Sequence, residues 1–275
     1  MGALLIAVIL LLILNGSADA DGLALDSPEV DQQLEGRTAV FLALDMQSGQ
    51  HYLLNAARLD QRQRPFSTFK IPNLMIALET GVEQSLSSER EWDAERFPKG
   101  DYWPEEWAQA QTLESAFRRS AVWYFRAIAE EVGGNRYREW LGRLKYGNGA
   151  APDENNQFWL TGPLEISVRE QLAFLRQLLE GDFDIQPSTI QALRQASLLE
   201  QKQGYRLHGK TGAGPATDDF DGPFEGWLVG WIERPDQAPA VFVLYVEGSS
   251  FARIRLFRRD LTEVLLTEAG LWPRD

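Results

Sequence analysis

The spacing of apolar residues changes twice along this chain, and those changes limit the folds that it can adopt. Apolar residues alternate at strand spacing over residues 37–45, and a turn at residues 47–50 separates them from a return strand at residues 51–54. This arrangement predicts a β-hairpin. An apolar helix is predicted over residues 72–80, where it stops before Gly81.

The middle of the chain has helical spacing from about residue 85 to residue 196. The pattern is clearest over residues 113–132 and 166–179. The stretch between them, residues 147–157, is polar and rich in Gly, Pro and Asn, so a loop is predicted there.

Strand spacing returns after Gly204. A short strand is predicted at residues 205–208, and two apolar strands at residues 227–233 and 240–246. The pattern of residues 251–269 predicts a closing helix.

Strands, then helices, then strands with a helix are typical of an α+β fold. We therefore expect an antiparallel-sheet subdomain built from residues 21–84 and 197–275. A helical subdomain of residues 85–196 is inserted into it.

The N-terminal segment resembles an export signal. Residues 1–14 are almost wholly apolar, and Ala18-Asp19-Ala20 fits the small-x-small cleavage pattern. The run is too short to span a bilayer comfortably. We expect residues 1–20 to be removed, which leaves one domain, residues 21–275, in the bacterial periplasm or outside the cell. No Lys or Arg precedes the apolar run, so an uncleaved anchor or a different start site stays open.

Charge and composition exclude several classes of function. The 275 residues carry a formal charge of −13, whereas a nucleic-acid-binding face is usually basic, so nucleic acid is not an expected partner. The chain has no cysteine, which excludes disulfides and thiolate zinc sites. Its only histidines, His51 and His208, do not supply a metal set or accompany a G-x-S-x-G motif, so we expect neither a metal nor a Ser-His-Asp triad.

Ser67 and Lys70 form an S-x-x-K motif. Positions i and i+3 share a helix face, so the Lys70 amine is predicted to reach the Ser67 hydroxyl. A serine needs an adjacent base to be nucleophilic near neutral pH. The apolar neighbours Phe66, Phe69 and Ile71 are expected to lower the pKa of Lys70 by excluding water. Alone, the motif also fits a capping serine and a solvated lysine.

Lys210-Thr211-Gly212 follows the short strand at residues 205–208. A lysine beside a cleft attracts an anionic substrate, and a glycine lets a ligand approach the backbone closely. A K-T-G tripeptide alone is usually a turn. S-x-x-K early in a chain and K-T-G late in it form the signature of penicillin-recognising serine enzymes.

Five motifs in one order resemble the class D (oxacillinase-type) serine β-lactamases. They are Ser67-Thr68-Phe69-Lys70, Ser120-Ala121-Val122, Tyr146-Gly147-Asn148, Phe158-Trp159-Leu160 and Lys210-Thr211-Gly212. The resemblance runs from the first hairpin to the last helix. It implies a β-lactamase/penicillin-binding transpeptidase-like fold, an antiparallel sheet flanked by helices. It also implies a small-molecule substrate, because such enzymes hydrolyse the β-lactam amide of penicillins and related antibiotics.

The resemblance further implies catalytic roles. Ser67 matches the nucleophile that forms the acyl-enzyme. Lys70 matches a lysine carried as N-carboxylysine, the general base for acylation and deacylation. Trp159 matches the indole that holds this carbamate, and Val122 matches the apolar residue that covers the lysine. The only cofactor implied is the CO₂ or bicarbonate that carboxylates Lys70.

Ser120 matches a hydroxyl that relays protons between the nucleophile, the K-T-G lysine and the lactam nitrogen. The backbone N–H groups of Ser67 and Ala213 match the oxyanion hole. The substrate-binding residues that the resemblance implies are Lys210, Thr211, Gly212, Ala213, Tyr146, Asn148 and Arg258. Of these, Tyr146 and Asn148 are expected to shape the cleft without taking part in a chemical step.

One arginine near the C-terminus is expected to bind the substrate carboxylate, because a guanidinium pairs with a carboxylate bidentately. Arg253, Arg255, Arg258 and Arg259 all lie there. Comparison with the last helix of the family favours Arg258 and leaves Arg255 as the alternative.

Other interpretations stay open. A β-lactam sensor or penicillin-binding domain that is acylated without turnover shares the motifs, but sensors are normally attached to several membrane helices. A D,D-peptidase usually lacks the F-W-L element. A class A enzyme would have S-D-N where Ser120-Ala121-Val122 stands. A class C enzyme would need a tyrosine base such as Tyr146, but the S-A-V and F-W-L strings argue against that class.

Two parts of the chain match the family loosely. Residues 85–111, with Trp92, Trp103 and Trp107, have no assigned role. Residues 213–217 lack the bulky residue that some relatives carry. The substrate range beyond penicillins is therefore open, as is the choice between a monomer and a homodimer.

Overall fold

The computed structural model describes residues 22–274 apart from residues 153, 155 and 218. The expected export signal, residues 1–20, lies outside the described residues. The strands are β1 (Leu23–Ala24), β2 (Thr38–Asp45), β3 (His51–Leu54), β4 (Glu89–Arg90), β5 (Gln111–Thr112), β6 (Leu198–Lys202), β7 (Tyr205–Pro215), β8 (Phe224–Arg234) and β9 (Gln237–Gly248). The α-helices are α1 (Pro28–Leu34), α2 (Lys70–Glu79), α3 (Leu113–Arg119), α4 (Val122–Val132), α5 (Gly134–Arg143), α6 (Val168–Glu180), α7 (Pro187–Ser197), α8 (Phe251–Arg255) and α9 (Phe257–Glu268).

A seven-stranded sheet in the order β1-β3-β2-β9-β8-β7-β6 organises the molecule and confirms the α+β class. Strands β2 and β9, from opposite ends of the chain, pair from Thr38↔Glu247 to Asp45↔Ala240. The sheet is mixed, not purely antiparallel as expected, because β1 runs parallel to β3. A two-stranded sheet, β4-β5, lies in the helical region.

Helices cover both faces of the large sheet. Along β9, Val243 and Tyr245 face the core shared with α2, α4 and α6, whereas Phe242 and Leu244 face the core shared with α1 and α9. Alternate strand residues point to opposite faces, so a strand covered on both sides is apolar throughout. This explains the unbroken apolar runs that the sequence shows for β8 and β9.

Two helices that the sequence predicts as continuous are broken. The predicted helix of residues 113–132 divides at Ser120, whose φ of 61° ends α3. The closing helix divides at Leu256 into α8 and α9. Apolar spacing continues across both breaks, so periodicity alone did not reveal them. Within the described ranges, no helix has both the length and the apolar character needed to cross a membrane.

The K-T-G motif lies inside a strand, not after one. Strand β7 extends from Tyr205 to Pro215, beyond the predicted end at His208, and pairs with β8 from Arg206 to Pro215. Strand β6, which the sequence analysis missed, forms the sheet edge next to β7. The motif is therefore held by strand pairing on one side and faces the helical region on the other.

Candidate active site

Ser67 lies in the 3₁₀ turn Phe66–Phe69, which runs directly into α2. The turn is fixed by its backbone: the Phe66 N–H donates to the Trp159 carbonyl at 3.1 Å, and the Thr68 hydroxyl donates to the Pro65 carbonyl at 2.7 Å. Because the helical turn brings i and i+3 together, Lys70 Nζ donates to Ser67 Oγ at 2.8 Å. The serine hydroxyl and the lysine amine are therefore in direct contact, as predicted.

Helix α6 supports this turn from behind. It begins with a reciprocal capping box, in which Ser167 accepts from the Glu170 N–H and Glu170 accepts from the Ser167 N–H. One residue later, Gln171 Nε2 donates to Thr68 Oγ1 at 3.0 Å. The well-capped helix start thereby holds the residue next to Ser67.

Lys70 is fully buried in an apolar pocket. Its Nζ lies 5.2 Å from the centre of the Phe125 ring, and Phe69 packs beside it in the same core. Burial, and secondarily the positive charge of Lys210, holds the pKa of Lys70 well below its usual range. This shift is towards the neutral amine. Phe125 was not singled out in the sequence, although its i+3 spacing from Val122 places both on one face of α4.

Trp159 stacks on Phe69 at 5.3 Å with 29° between the ring planes. The side chain is fully buried, and its Nε1–H has no hydrogen-bond acceptor among the residues that the structure describes. An unpaired buried donor costs about 1–3 kcal/mol. The indole N–H of Trp159 is therefore a buried donor that can still bind an acceptor.

Tyr146, Gly147 and Asn148 hold the loop that carries Trp159. The Asn148 side-chain Nδ2 donates to the Pro163 carbonyl at 2.8 Å, and the Asn148 backbone N–H donates to the Glu165 carbonyl at 3.0 Å. A Cβ on Gly147 would lie 2.2 Å from that same Glu165 oxygen, at a φ of +53°, so only glycine fits. Tyr146 is buried, with its hydroxyl donating to Gln171 Oε1 at 3.4 Å. These contacts tie residues 146–148 to the loop around Trp159 and to α6.

Ser120 lies between α3 and α4 and faces strand β7. Lys210 Nζ donates to Ser120 Oγ at 2.5 Å and to the Thr211 carbonyl at 3.1 Å. Burial, followed by the charge of Arg258, lowers the pKa of Lys210 to about 7. Near neutral pH, Lys210 is therefore close to the midpoint between its charged and neutral forms, and it contacts Ser120 directly.

Strand β7 lies directly against the Ser67 turn. A Cβ on Gly212 would lie 2.8 Å from the Pro65 carbonyl oxygen and 3.1 Å from the Thr68 nitrogen, so glycine permits this approach. Ala213, the next residue, is partly exposed beside it, as is Ser67. This proximity suits the expected pair of backbone N–H groups for an oxyanion.

Arg258 is the C-terminal arginine that reaches this strand. It is buried, and its Nη1 donates to the Gly212 carbonyl at 2.8 Å. Arg253, Arg255 and Arg259 are exposed, and Arg259 pairs with Glu200 at 2.6 Å. Burial and the charge of Arg255 lower the pKa of Arg258 to about 10. The geometry therefore favours Arg258 over the alternative, Arg255.

The two histidines lie in strands. His208 stacks on Trp231 at 4.9 Å, and its Nδ1 is 3.0 Å from the Arg194 carbonyl. His51 is in β3. In residues 22–274, apart from the three positions that are not described, no cluster of three or more His, Asp or Glu residues is arranged to hold a metal ion.

The chain resembles known proteins over most of its length. Residues 39–256 match the penicillin binding protein transpeptidase domain family. The chain is 32% identical over 255 residues to the probable β-lactamase YbxI of Bacillus subtilis, an alignment that covers 93% of this chain and 90% of that protein.

A solved structure and a regulatory protein are also similar to this chain. The solved structure of the class D β-lactamase YbXI from Nostoc superposes with a TM-score of 0.80 at 28% identity, covering 88% of this chain and 99% of that one. The regulatory protein BlaR1 of Bacillus licheniformis is 29% identical over 241 residues, which cover 85% of this chain and only 37% of BlaR1.

Proposed function

Since the chain belongs to the class D serine β-lactamases, we propose that it hydrolyses penicillins through an acyl-enzyme on Ser67, with N-carboxylated Lys70 as the general base. The contact that carries this proposal is the 2.8 Å hydrogen bond between Lys70 and Ser67 in a water-excluding pocket. Export to the periplasm or cell exterior is part of the proposal, because β-lactams act there.

Carboxylation of Lys70 fits its surroundings. Only a neutral amine adds CO₂, forming an N–C bond and releasing one proton, and the low pKa of Lys70 favours that amine. The resulting carbamate is an anion that needs donors. The buried Trp159 Nε1–H, which lacks another acceptor among the described residues, supports this assignment.

Acylation begins when the carboxylated Lys70 takes the Ser67 proton and Oγ attacks the lactam carbonyl carbon. The backbone N–H groups of Ser67 and Ala213 stabilise the oxyanion. The carbonyl–nitrogen bond then breaks, and the lactam nitrogen receives a proton through Ser120 from Lys210. The contact between Lys210 and Ser120 supports this route.

Before deacylation the carbamate on Lys70 releases the Ser67 proton to solvent, and Lys210 takes a proton from solvent. The carbamate then takes a proton from water as the water oxygen attacks the ester carbon, and it returns that proton to Ser67 Oγ as the ester bond breaks. The lysine side chain thus serves both steps. Lys210, Thr211 and Arg258 bind the substrate carboxylate on the β7 side of the cleft, which the buried charges of Lys210 and Arg258 support.

The likeness to BlaR1 gives a second candidate, a β-lactam-binding domain that is acylated without turnover. The two are separated by penicillin hydrolysis assays on the wild type, Ser67→Ala and Lys70→Ala, each with and without added bicarbonate. We expect rapid turnover by the wild type, a higher rate with added bicarbonate, and no turnover in either variant. Stoichiometric acylation of Ser67 without turnover would instead establish the binding domain.

A further inference from the structure

Trp107 belongs to the segment of residues 85–111 that the motifs leave without a role. It ends the 3₁₀ turn Glu105–Trp107, is 9% exposed, and packs edge-on against Trp103 at 5.6 Å. Its Nε1–H donates to the Arg119 carbonyl at 2.7 Å. The residue that follows this carbonyl is Ser120, so the indole contacts the backbone immediately before a proposed catalytic group.

Ser120 adopts a conformation that its residue type disfavours. Its φ of 61° and ψ of 30° are left-handed, and Ala121 N–H donates back to the Ala116 carbonyl at 2.9 Å. This helix ending usually has glycine at the left-handed position. For other residues the left-handed conformation costs about 1–2 kcal/mol. Contacts from outside α3 can offset this cost.

The indole fixes one end of a planar peptide group. The Arg119 carbonyl and the Ser120 N–H belong to the same peptide, which is planar and stiff. Trp107 holds the oxygen, while the Phe117 carbonyl accepts the N–H at 3.2 Å. With both ends held, the orientation of the peptide is set, and with it the direction of the Ser120 side chain towards Lys210.

Trp107 is itself anchored from the other side of Ser120. Trp123, which is fully buried in the first turn of α4, donates its Nε1–H to the Trp107 carbonyl at 2.6 Å. Trp107 therefore accepts from the helix after Ser120 and donates to the helix before it. The break between α3 and α4 is closed by these two indole hydrogen bonds.

We propose that Trp107 is a positioning residue for Ser120, and that its indole N–H holds the left-handed turn that presents the Ser120 hydroxyl to Lys210. The proposal rests on the proposed function, in which Ser120 passes a proton to the lactam nitrogen during acylation. Deacylation runs through Lys70 and does not need this turn. The two steps should therefore respond differently to loss of the N–H.

The test compares acylation and deacylation rates, measured by stopped flow with a penicillin, in the wild type and Trp107→Phe. Loss of one hydrogen bond predicts an acylation rate about tenfold lower. Deacylation should stay within twofold of the wild type. Trp103→Phe is the matched control, because it makes the same change in the neighbouring ring, and it should change neither rate more than twofold.

A double-mutant cycle with Ser120→Ala identifies the route of the effect. If Trp107 acts through Ser120, Trp107→Phe has no further effect on acylation in the Ser120→Ala background. An equal loss in both backgrounds, or unchanged acylation in Trp107→Phe, overturns the proposal. Should Trp107→Phe fail to fold, 3-benzothienylalanine at position 107 keeps the ring shape without the N–H and decides by the same criteria. Acylation is measurable without turnover, so failure of the proposed hydrolysis remains a separate result.

Discussion

Trp159→Phe removes the single N–H that the proposed function assigns to the carbamate on Lys70. The phenyl ring retains most of the packing on Phe69, which lies 5.3 Å from the indole. If the N–H donates to a carbamate on Lys70, the bond is charge-assisted and contributes about 1.5–3 kcal/mol. Since 1.4 kcal/mol corresponds to a factor of ten, the bicarbonate concentration for half-maximal activity should rise about 10–100-fold.

Two measurements check this expectation. Penicillin hydrolysis is followed across a bicarbonate series at fixed pH, and the carbamate carbon is observed by NMR after addition of ¹³C-bicarbonate. The variant should recover activity at high bicarbonate, because Lys70 and Ser67 are intact. Its carbamate signal should appear only at the higher concentrations.

Trp231→Phe is a matched control. Trp231 is also fully buried with no acceptor for its Nε1–H in the described part of the chain, but it stacks on His208, not on the Ser67 helix. Its bicarbonate dependence should equal that of the wild type. An unchanged half-saturation in Trp159→Phe, or an equal shift in both variants, would refute the assigned role of the indole.

Three further predictions concern the β7 side of the cleft. Arg258→Gln should raise KM for penicillins about tenfold or more with a smaller change in kcat, because the substrate carboxylate loses its partner. Steady-state kinetics check this, and an equal effect of the exposed Arg259→Gln would contradict it. Gly212→Ala should lower kcat/KM at least about tenfold, since the added Cβ would meet the Pro65 oxygen at 2.8 Å, whereas Gly142→Ala, with nothing within 4 Å, should not. Because the pKa of Lys210 is lowered to about 7 in the folded protein, unfolding takes up a proton between pH 7 and 10. The wild type should therefore gain stability over Lys210→Met as the pH rises through this range, and urea unfolding midpoints check this. Parallel midpoints over that range would show that Lys210 titrates normally.

Local features of the site were predictable from the sequence. The contact between Ser67 and Lys70 follows from helix geometry alone, and the burial of Lys70 follows from its apolar neighbours. The hairpin of β2 and β3 followed from strand spacing and a turn. In each case the relevant groups lie within a few residues of each other, so the backbone conformation determines the geometry.

The rest depends on contacts between distant segments. Lys210 and Ser120 are 90 residues apart, and only the packing of β7 against the α3–α4 break joins them. That break carries serine where a left-handed helix end usually has glycine, so the sequence shows no stop signal. The hydrogen bond from Trp107 to Arg119 likewise has no local pattern. Tertiary structure was required to see that Trp107, within residues 85–111, contacts the peptide that precedes Ser120.

In the proposed mechanism Lys70 must be neutral to add CO₂, whereas Lys210 must be protonated to supply the lactam nitrogen. The charge on each lysine affects the pKa of the other. As amines, Lys70 and Lys210 repel each other when protonated, which contributes to the low pKa of Lys70. In the proposed mechanism, carboxylation makes Lys70 an anion and turns this repulsion into attraction, so the pKa of Lys210 should rise above about 7. Protonated Lys210 is the form that can supply the lactam nitrogen through Ser120. By linkage, the positive charge of Lys210 must favour the carbamate to the same degree. Lys210→Met should therefore weaken CO₂ uptake by Lys70 as well as substrate binding, and the ¹³C carbamate signal, measured without substrate, separates the two effects.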